Sequence, residues 1–128
     1  MIVLDTAAWI WFASDPDRLT PAARETIEAH RGAGVSAISA WEVGMLVSKN
    51  RIRLDRPVDR WTDDAMRVNG MEAIPVDHHI GVLATLLPGE PPTDPADRII
   101  VATALHQGGA VITPDRRIID YPFCPTIW

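Results

Sequence analysis

The chain has 128 residues, 47% of them apolar and 23% charged, with one cysteine and a net charge of −5. These figures fit one soluble globular domain with its own core, and they exclude a disordered tail protein and a disulfide scaffold. No apolar run is long enough to span a membrane, and the start Met1-Ile2-Val3-Leu4-Asp5 lacks the basic region of a signal peptide, so the expectation is a cytoplasmic protein with no membrane contact.

Met1–Leu4 is a short apolar run that stops at Asp5 and predicts a buried strand. Thr6–Ser14 is apolar and aromatic and predicts a helix, broken by Asp15-Pro16-Asp17. Its Trp9, Trp11 and Phe12 exceed what one helix face can bury, which suggests a second subunit packed there. Thr20 and Pro21 are a cap and a first helical residue, opening a helix to about Arg31. Val35–Ile38 predicts the second strand, and Ser39 a cap for a helix that ends near Asn50. Arg51–Asp55 is an extended link, and Pro57–Gly70 is an amphipathic helix.

Glu72–Val76 is a weak third strand, and Asp77 caps a helix to Leu86. Four prolines, Pro88, Pro91, Pro92 and Pro95, with Gly89 among them, stiffen the next loop, Leu87–Pro95. Ala96–His106 is apolar on most faces and predicts a buried helix. Ala110–Ile112, Pro114–Asp120 and Phe123–Ile127 predict a fourth strand, a turn with a short helix, and a last strand. Strands separated by helices through short loops predict an α/β domain spanning 1–128, with a mainly parallel central sheet of four to five strands flanked by helices.

Four acids fall at special places. Asp5 follows the first strand, Glu42 lies early in the helix after the second, Asp97 lies in the first turn of the buried helix, and Asp115 follows the fourth strand. Residues at such positions collect at the carboxyl edge of a parallel sheet, where these folds bind ligands. Each acid also has a structural alternative. Ser39-Ala40-Trp41-Glu42 reads as a capping box, and Asp94-Pro95-Ala96-Asp97 as a helix start. Asp5 and Asp115 read equally as turn or cap residues. Together the four point to a cation: two like charges about 4 Å apart repel by about 4 kcal/mol at an effective dielectric of about 20. An all-oxygen donor set favours Mg²⁺ or Mn²⁺ over Zn²⁺ and suits phosphoryl chemistry.

The segments Ile2-Val3-Leu4-Asp5-Thr6-Ala7, Val35-Ser36-Ala37-Ile38-Ser39-Ala40-Trp41-Glu42-Val43, Asp94-Pro95-Ala96-Asp97-Arg98 and Val111-Ile112-Thr113-Pro114-Asp115 resemble, in order and spacing, the motifs of the PIN-domain nucleases, specifically the VapC-type toxins. The resemblance covers nearly the whole chain. It implies a Mg²⁺-dependent endoribonuclease, with Mn²⁺ able to substitute, and Asp5, Glu42, Asp97 and Asp115 as catalytic metal ligands. Asp94 would cap a helix or support the site, and Thr6 and Thr113 would orient carboxylates or water. The family further implies an RNA substrate, transfer or ribosomal RNA being usual, a homodimer, and inhibition by a cognate VapB-type antitoxin. A PIN-type nuclease with a housekeeping RNA-processing role and no antitoxin is the alternative. A receiver-like Mg²⁺-binding signalling module is more distant: it needs a lysine after a late strand, and the one lysine is Lys49. A haloacid-dehalogenase-type phosphatase needs an acid two residues after Asp5, where Ala7 stands.

Among the basic residues, Arg116 and Arg117 beside Asp115, and Arg51 in the basic stretch from Lys49 to Arg60, are candidates for positioning RNA phosphates. His78 and His79 have no third metal ligand nearby in sequence, and neighbours on a helix point apart, so they are not read as a metal site. His30 and His106 read as residues that complement helix ends. Cys124 reads as a small core residue.

Overall fold

The computed structural model describes residues 1–128. Five short strands form one sheet: β1 (Ile2–Leu4), β2 (Gly34–Ser36), β3 (Glu72–Ile74), β4 (Ala110–Ile112) and β5 (Thr126–Ile127). Their order is β3-β2-β1-β4-β5, and every pairing is parallel. The helices are α1 (Thr6–Ser14), α2 (Pro21–Ala29), α3 (Ala37–Ser48), α4 (Val58–Arg67), α5 (His78–Thr85), α6 (Pro95–His106) and α7 (Arg116–Ile119). This is the α/β architecture expected from the alternation of strand and helix patterns.

The period of two along each strand sends side chains to two separate cores. Ile2, Leu4, Val35 and Ile112 join a cluster with Trp9, Ile27, Val43 and Trp61, on the side covered by α1 to α4. Val3, Ile74 and Val111 join a cluster with Ile80, Ile100, Val101 and Ile118, on the side covered by α5 to α7. The sheet is thus the middle of three layers. α6 is buried over most of its circumference, with Ile100, Val101, Ala102, Thr103 and Ala104 all buried, as its apolar composition predicts.

The chain runs outward from β1 through β2 to β3, then returns through α5 and α6 to place β4 on the other side of β1. The order therefore reverses between β1 and β4. At such a point the loops beyond the strand ends diverge and leave a crevice. The crossing also brings the chain close at Gly109, where a Cβ would lie 1.8 Å from the Met1 carbonyl oxygen. Only glycine admits that backbone approach.

Several boundaries differ from the sequence reading. β2 ends at Ser36, and Ser36, not Ser39, caps α3 by accepting a bond from the Ile38 N–H at 3.2 Å. The run Val35–Ile38 has apolar residues that suit a strand or a first helical turn equally, and pairing with the three-residue β1 and β3 decides for the shorter strand. Glu42 then lies in the second turn of α3, and the Ser39–Glu42 capping box does not form. α2 stops at Ala29, short of Arg31. α4 stops at Arg67, and a 3-10 turn with Asn69 at φ 57° follows. β3 and β5 are shorter than Glu72–Val76 and Phe123–Ile127.

The aromatic residues of α1 also find partners within the chain. Trp9 is buried edge-on against Trp61, with centroids 5.3 Å apart. Trp11 packs beside Trp128 at 5.9 Å, and the Arg18 guanidinium lies over its ring at 4.2 Å. α4, the C-terminal residue and an arginine thus cover Trp9 and part of Trp11, while Trp11 and Phe12 stay half-buried. Trp41, on α3, is the exposed tryptophan at 58%.

Candidate active site

The register of β1 and β4 pairs Leu4 with Ile112, so the next residues, Asp5 and Thr113, emerge side by side at the carboxyl edge. The Thr113 hydroxyl donates to Asp5 Oδ2, and the Ala8 N–H donates to Asp5 Oδ1 at 2.8 Å. Asp5 is thus both the N-cap of α1 and a buried acid facing the crevice. Thr113 also accepts the Asp115 N–H at 2.9 Å, which fixes the turn into α7.

Glu42 reaches the same place from α3. Its Oε1 lies 2.5 Å from the Thr6 hydroxyl, which also contacts the Ser39 hydroxyl at 2.9 Å. A hydroxyl has one proton to give, and an ionised carboxylate can only accept. With Glu42 ionised, Thr6 donates to it and Ser39 donates to Thr6. The buried Ser39, read from sequence as a cap, is instead the far end of this relay.

Asp97 is the third residue of α6. Asp94 caps that helix by accepting the Asp97 N–H at 3.1 Å, with Pro95 in the first position. Asp97 Oδ2 is buried and has no hydrogen-bond partner. The nearby Arg117 Nη2 is 3.7 Å from it, too far for a hydrogen bond. Arg117 is committed instead to Asp115, at 2.8 Å. An unbonded buried carboxylate oxygen is costly, and such an atom calls for an explanation in terms of what it meets in the working protein.

Asp5, Glu42, Asp97 and Asp115 line one cavity of about 510 Å³ together with Thr6 and Arg117. Burial pushes the Asp5 carboxyl up to about 6, against the lowering effect of its bonds from Thr113 and Ala8, and Asp115 and Glu42 add repulsion. Burial likewise pushes Asp97 up to about 7, with further repulsion from Asp94, Asp115 and Glu42 outweighing the attraction of Arg117. Glu42 is raised, mainly by burial. Asp115 is lowered, because Arg117 bonds to it. Three acids that resist ionisation beside a fourth held ionised by Arg117 form a site with an excess of negative charge.

The structure thus brings together all four acids singled out in the sequence. It does not arrange three or more of them as ligands of a single ion. Asp94 stands at the helix end, outside the cavity lining, and acts on Glu42 and Asp97 through its charge. Of the proposed phosphate-positioning residues, Arg117 is in the cavity, while Arg51 and Arg116 are outside it, and Arg116 pairs with Asp120. Two further arginines line the cavity: Arg53, which belongs to the basic stretch from Lys49 to Arg60, and Arg18, which sequence reasoning passed over. Nothing local marks Arg18, which arrives through the turn after α1; Arg53 arrives through the link after α3.

Elsewhere, His78 and His79 do not point apart: their rings are 4.0 Å apart, and His106 stacks on His79 at 6.2 Å. The packing of α5 on α6 supplies that third ring from a distant part of the sequence. His30 Nδ1 lies 2.7 Å from the Thr26 carbonyl oxygen near the end of α2, and Cys124 is buried, both as expected.

A three-layer parallel fold with acids gathered at its switch point defines a class, and the sequence comparison agrees with it. The pattern of the PIN domain family matches residues 2–123, and the chain belongs to that family, in its VapC-type branch. Ribonuclease VapC22 of Mycobacterium tuberculosis is 33% identical over 129 residues, covering 99% of this chain and 98% of that protein. Among solved structures, a toxin-antitoxin complex from Klebsiella pneumoniae aligns with a TM-score of 0.66 at 21% identity, over 95% of this chain and 93% of that one. FitAcB from Neisseria gonorrhoeae aligns with a TM-score of 0.63 at 20% identity, over 98% and 96%. At those identities the two structures speak for the fold.

Proposed function

We propose that the chain is a divalent-metal-dependent endoribonuclease, the toxin of a VapBC-type toxin–antitoxin pair. The observation that carries this reading is the buried, unbonded Oδ2 of Asp97 in a cavity shared with Asp5, Glu42 and Asp115. The donors are all carboxylate oxygens, which suits Mg²⁺, with Mn²⁺ as a substitute. A cation also answers the charge excess, since it returns Asp5 and Asp97 to their ionised forms. Asp5, Glu42, Asp97 and Asp115 would hold it, and residues 1–128 act as one PIN domain. When bound, the cation supplies Lewis-acid polarisation of the phosphodiester and activation of water.

The remaining work falls to the chain's own groups. Thr113 and the Ala8 N–H fix the Asp5 carboxylate, and Ser39 and Thr6 fix Glu42. Side chains held in this way need no reorganisation when charge develops at the phosphate. Arg117 holds Asp115 at the rim and partly offsets the charge of Asp97.

Support for RNA as substrate comes from the relative named ribonuclease VapC22. Support for an antitoxin partner comes from the structural neighbour from Klebsiella pneumoniae, which is a toxin-antitoxin complex. Transfer or ribosomal RNA loops are the proposed targets, and a homodimer the proposed assembly. The test is incubation of the purified protein with RNA in Mn²⁺, followed by mapping of the new 5′ ends. Discrete cuts that EDTA suppresses are expected, and a cognate VapB-type antitoxin should suppress them too. Cleavage that persists in EDTA would overturn the metal-dependent reading.

A further inference from the structure

The cavity that holds the acids has a second half of different character. Ile10, Trp11, Leu46 and Ile52 give it an apolar wall, and Arg18 and Arg53 stand at it. Of the three arginines that line the cavity, Arg117 is tied to Asp115 and Asp97. Arg24, Arg56, Arg67 and Arg116 elsewhere are also paired with carboxylates. Arg18 and Arg53 are exposed and belong to none of the chain's ion pairs. Their charge remains available to a ligand.

Arg18 is held by stacking. Its guanidinium carbon lies 4.2 Å from the centroid of the Trp11 ring, and Trp128 packs against that ring at 5.9 Å. The short turn Pro16–Arg18 after α1 sets its position, with the Arg18 N–H bonded to the Asp15 carbonyl at 3.1 Å. A planar cation on an aromatic ring, at the mouth of a cavity, has one face left for another flat group. Unpaired RNA bases stack on such aromatic and guanidinium planes, and bases inside a duplex cannot. The acids at the other end of the cavity repel a phosphate backbone, so a polyanion that approaches them needs positive charge close by.

We propose that Trp11, Arg18 and Arg53 form a docking shelf for single-stranded RNA beside the acids, with the two arginines on phosphates and the Trp11–Arg18 stack under an unpaired base. This rests on the ribonuclease reading of the same site. It assigns phosphate positioning to Arg18 and Arg53, in place of Arg51 and Arg116, which lie outside the cavity. It also makes the shelf selective for loops and other single-stranded segments.

The test measures binding, without cleavage. A short labelled single-stranded RNA is titrated in EDTA against the Asp97→Asn protein, at several salt concentrations, alongside an abasic oligonucleotide with the same backbone. Arg18→Ala and Arg53→Ala, added to that background, should each lower the slope of log affinity against log salt by about 0.7, the value for one phosphate contact on a single strand. Arg18→Lys keeps the charge and loses the plane. It should keep the slope, weaken the base-bearing RNA by about five-fold or more, and leave the abasic strand unchanged. Arg60→Ala, exposed and outside the cavity, should change nothing. If the parent binds RNA and the cavity variants match it in slope and affinity, or if Arg60→Ala lowers the slope equally, the shelf is refuted and the ribonuclease reading survives. If the parent binds no RNA and the unmutated protein cuts none in Mn²⁺, both fall.

Discussion

Asparagine at Asp5 should make the metal-free protein more stable at neutral pH and less stable in acid. The folded state holds the Asp5 proton up to about 6, against 3.8 for an ordinary aspartate. A raised carboxyl pKa means that the folded state binds more protons than the unfolded state between those values. The associated stability is present at low pH and is lost as pH rises through about 6. The gap corresponds to about 3 kcal/mol of penalty for the ionised form above that range. Asparagine cannot ionise, so it escapes the penalty. It keeps an oxygen for the Ala8 N–H, but its amide cannot accept the Thr113 proton in place of Oδ2, and a lost buried bond costs about 1 kcal/mol.

The variant should therefore be about 2 kcal/mol more stable than wild type near pH 7.5, and about 0.5 kcal/mol less stable near pH 4. The other strongly raised acid, Asp97, should not confuse the comparison, because the causes that raise it do not include Asp5. Urea denaturation in EDTA at the two pH values measures the difference. A stability difference that stays constant across that range would refute the argument that burial raises the Asp5 pKa.

Three further outcomes follow from other parts of the structure. Gly109→Ala drives a Cβ to 1.8 Å from the Met1 carbonyl oxygen, so it should separate β1 from β4 and lower the melting temperature sharply, or abolish soluble folded protein; a normal melt would refute the close approach. Asp94→Ala removes the cap of α6 and should cost about 0.5–2 kcal/mol in denaturation while much of the nuclease activity survives. Mn²⁺ at about a hundred times its dissociation constant should stabilise the protein by about 2.7 kcal/mol, read as a rise in melting temperature that Asp97→Asn blunts.

The sequence carried the elements whose signals are local. Val3 and Leu4 followed by Asp5, Thr20-Pro21, Asp94-Pro95 and Gly108-Gly109 mark ends by the chemistry of a few adjacent residues, and those ends lie within a residue or two of their predicted places. It carried less where a local pattern is degenerate. Val35-Ser36-Ala37-Ile38-Ser39 offers two serines as caps and an apolar run that fits either strand or helix, and only pairing with β1 and β3 decides between them. Asp5, Asp97 and Asp115 were legible because each follows a strand or opens a helix, while Glu42, read as an early helical residue, lies a turn further in because α3 begins at Ala37. The family resemblance marks Thr6 and Thr113 as supports, but which carboxylate each meets, and the part of Ser39, were not legible: Thr6 meets Ser39 and Glu42 across 33 and 36 residues, and Thr113 meets Asp5 across 108. The approach of His106 to His79 likewise depends on how distant elements pack, whereas the stacking of Arg18 on Trp11 depends on the conformation of the short turn between them.

The most direct test of the acidic site is the initial rate of RNA cleavage by Asp97→Asn in saturating Mn²⁺, with a melt to show that the variant is folded. The amide keeps the volume of the side chain and takes away one charged oxygen ligand. The account predicts a folded protein whose cleavage rate falls by orders of magnitude. A folded Asp97→Asn protein that cuts RNA at the wild-type rate would contradict it.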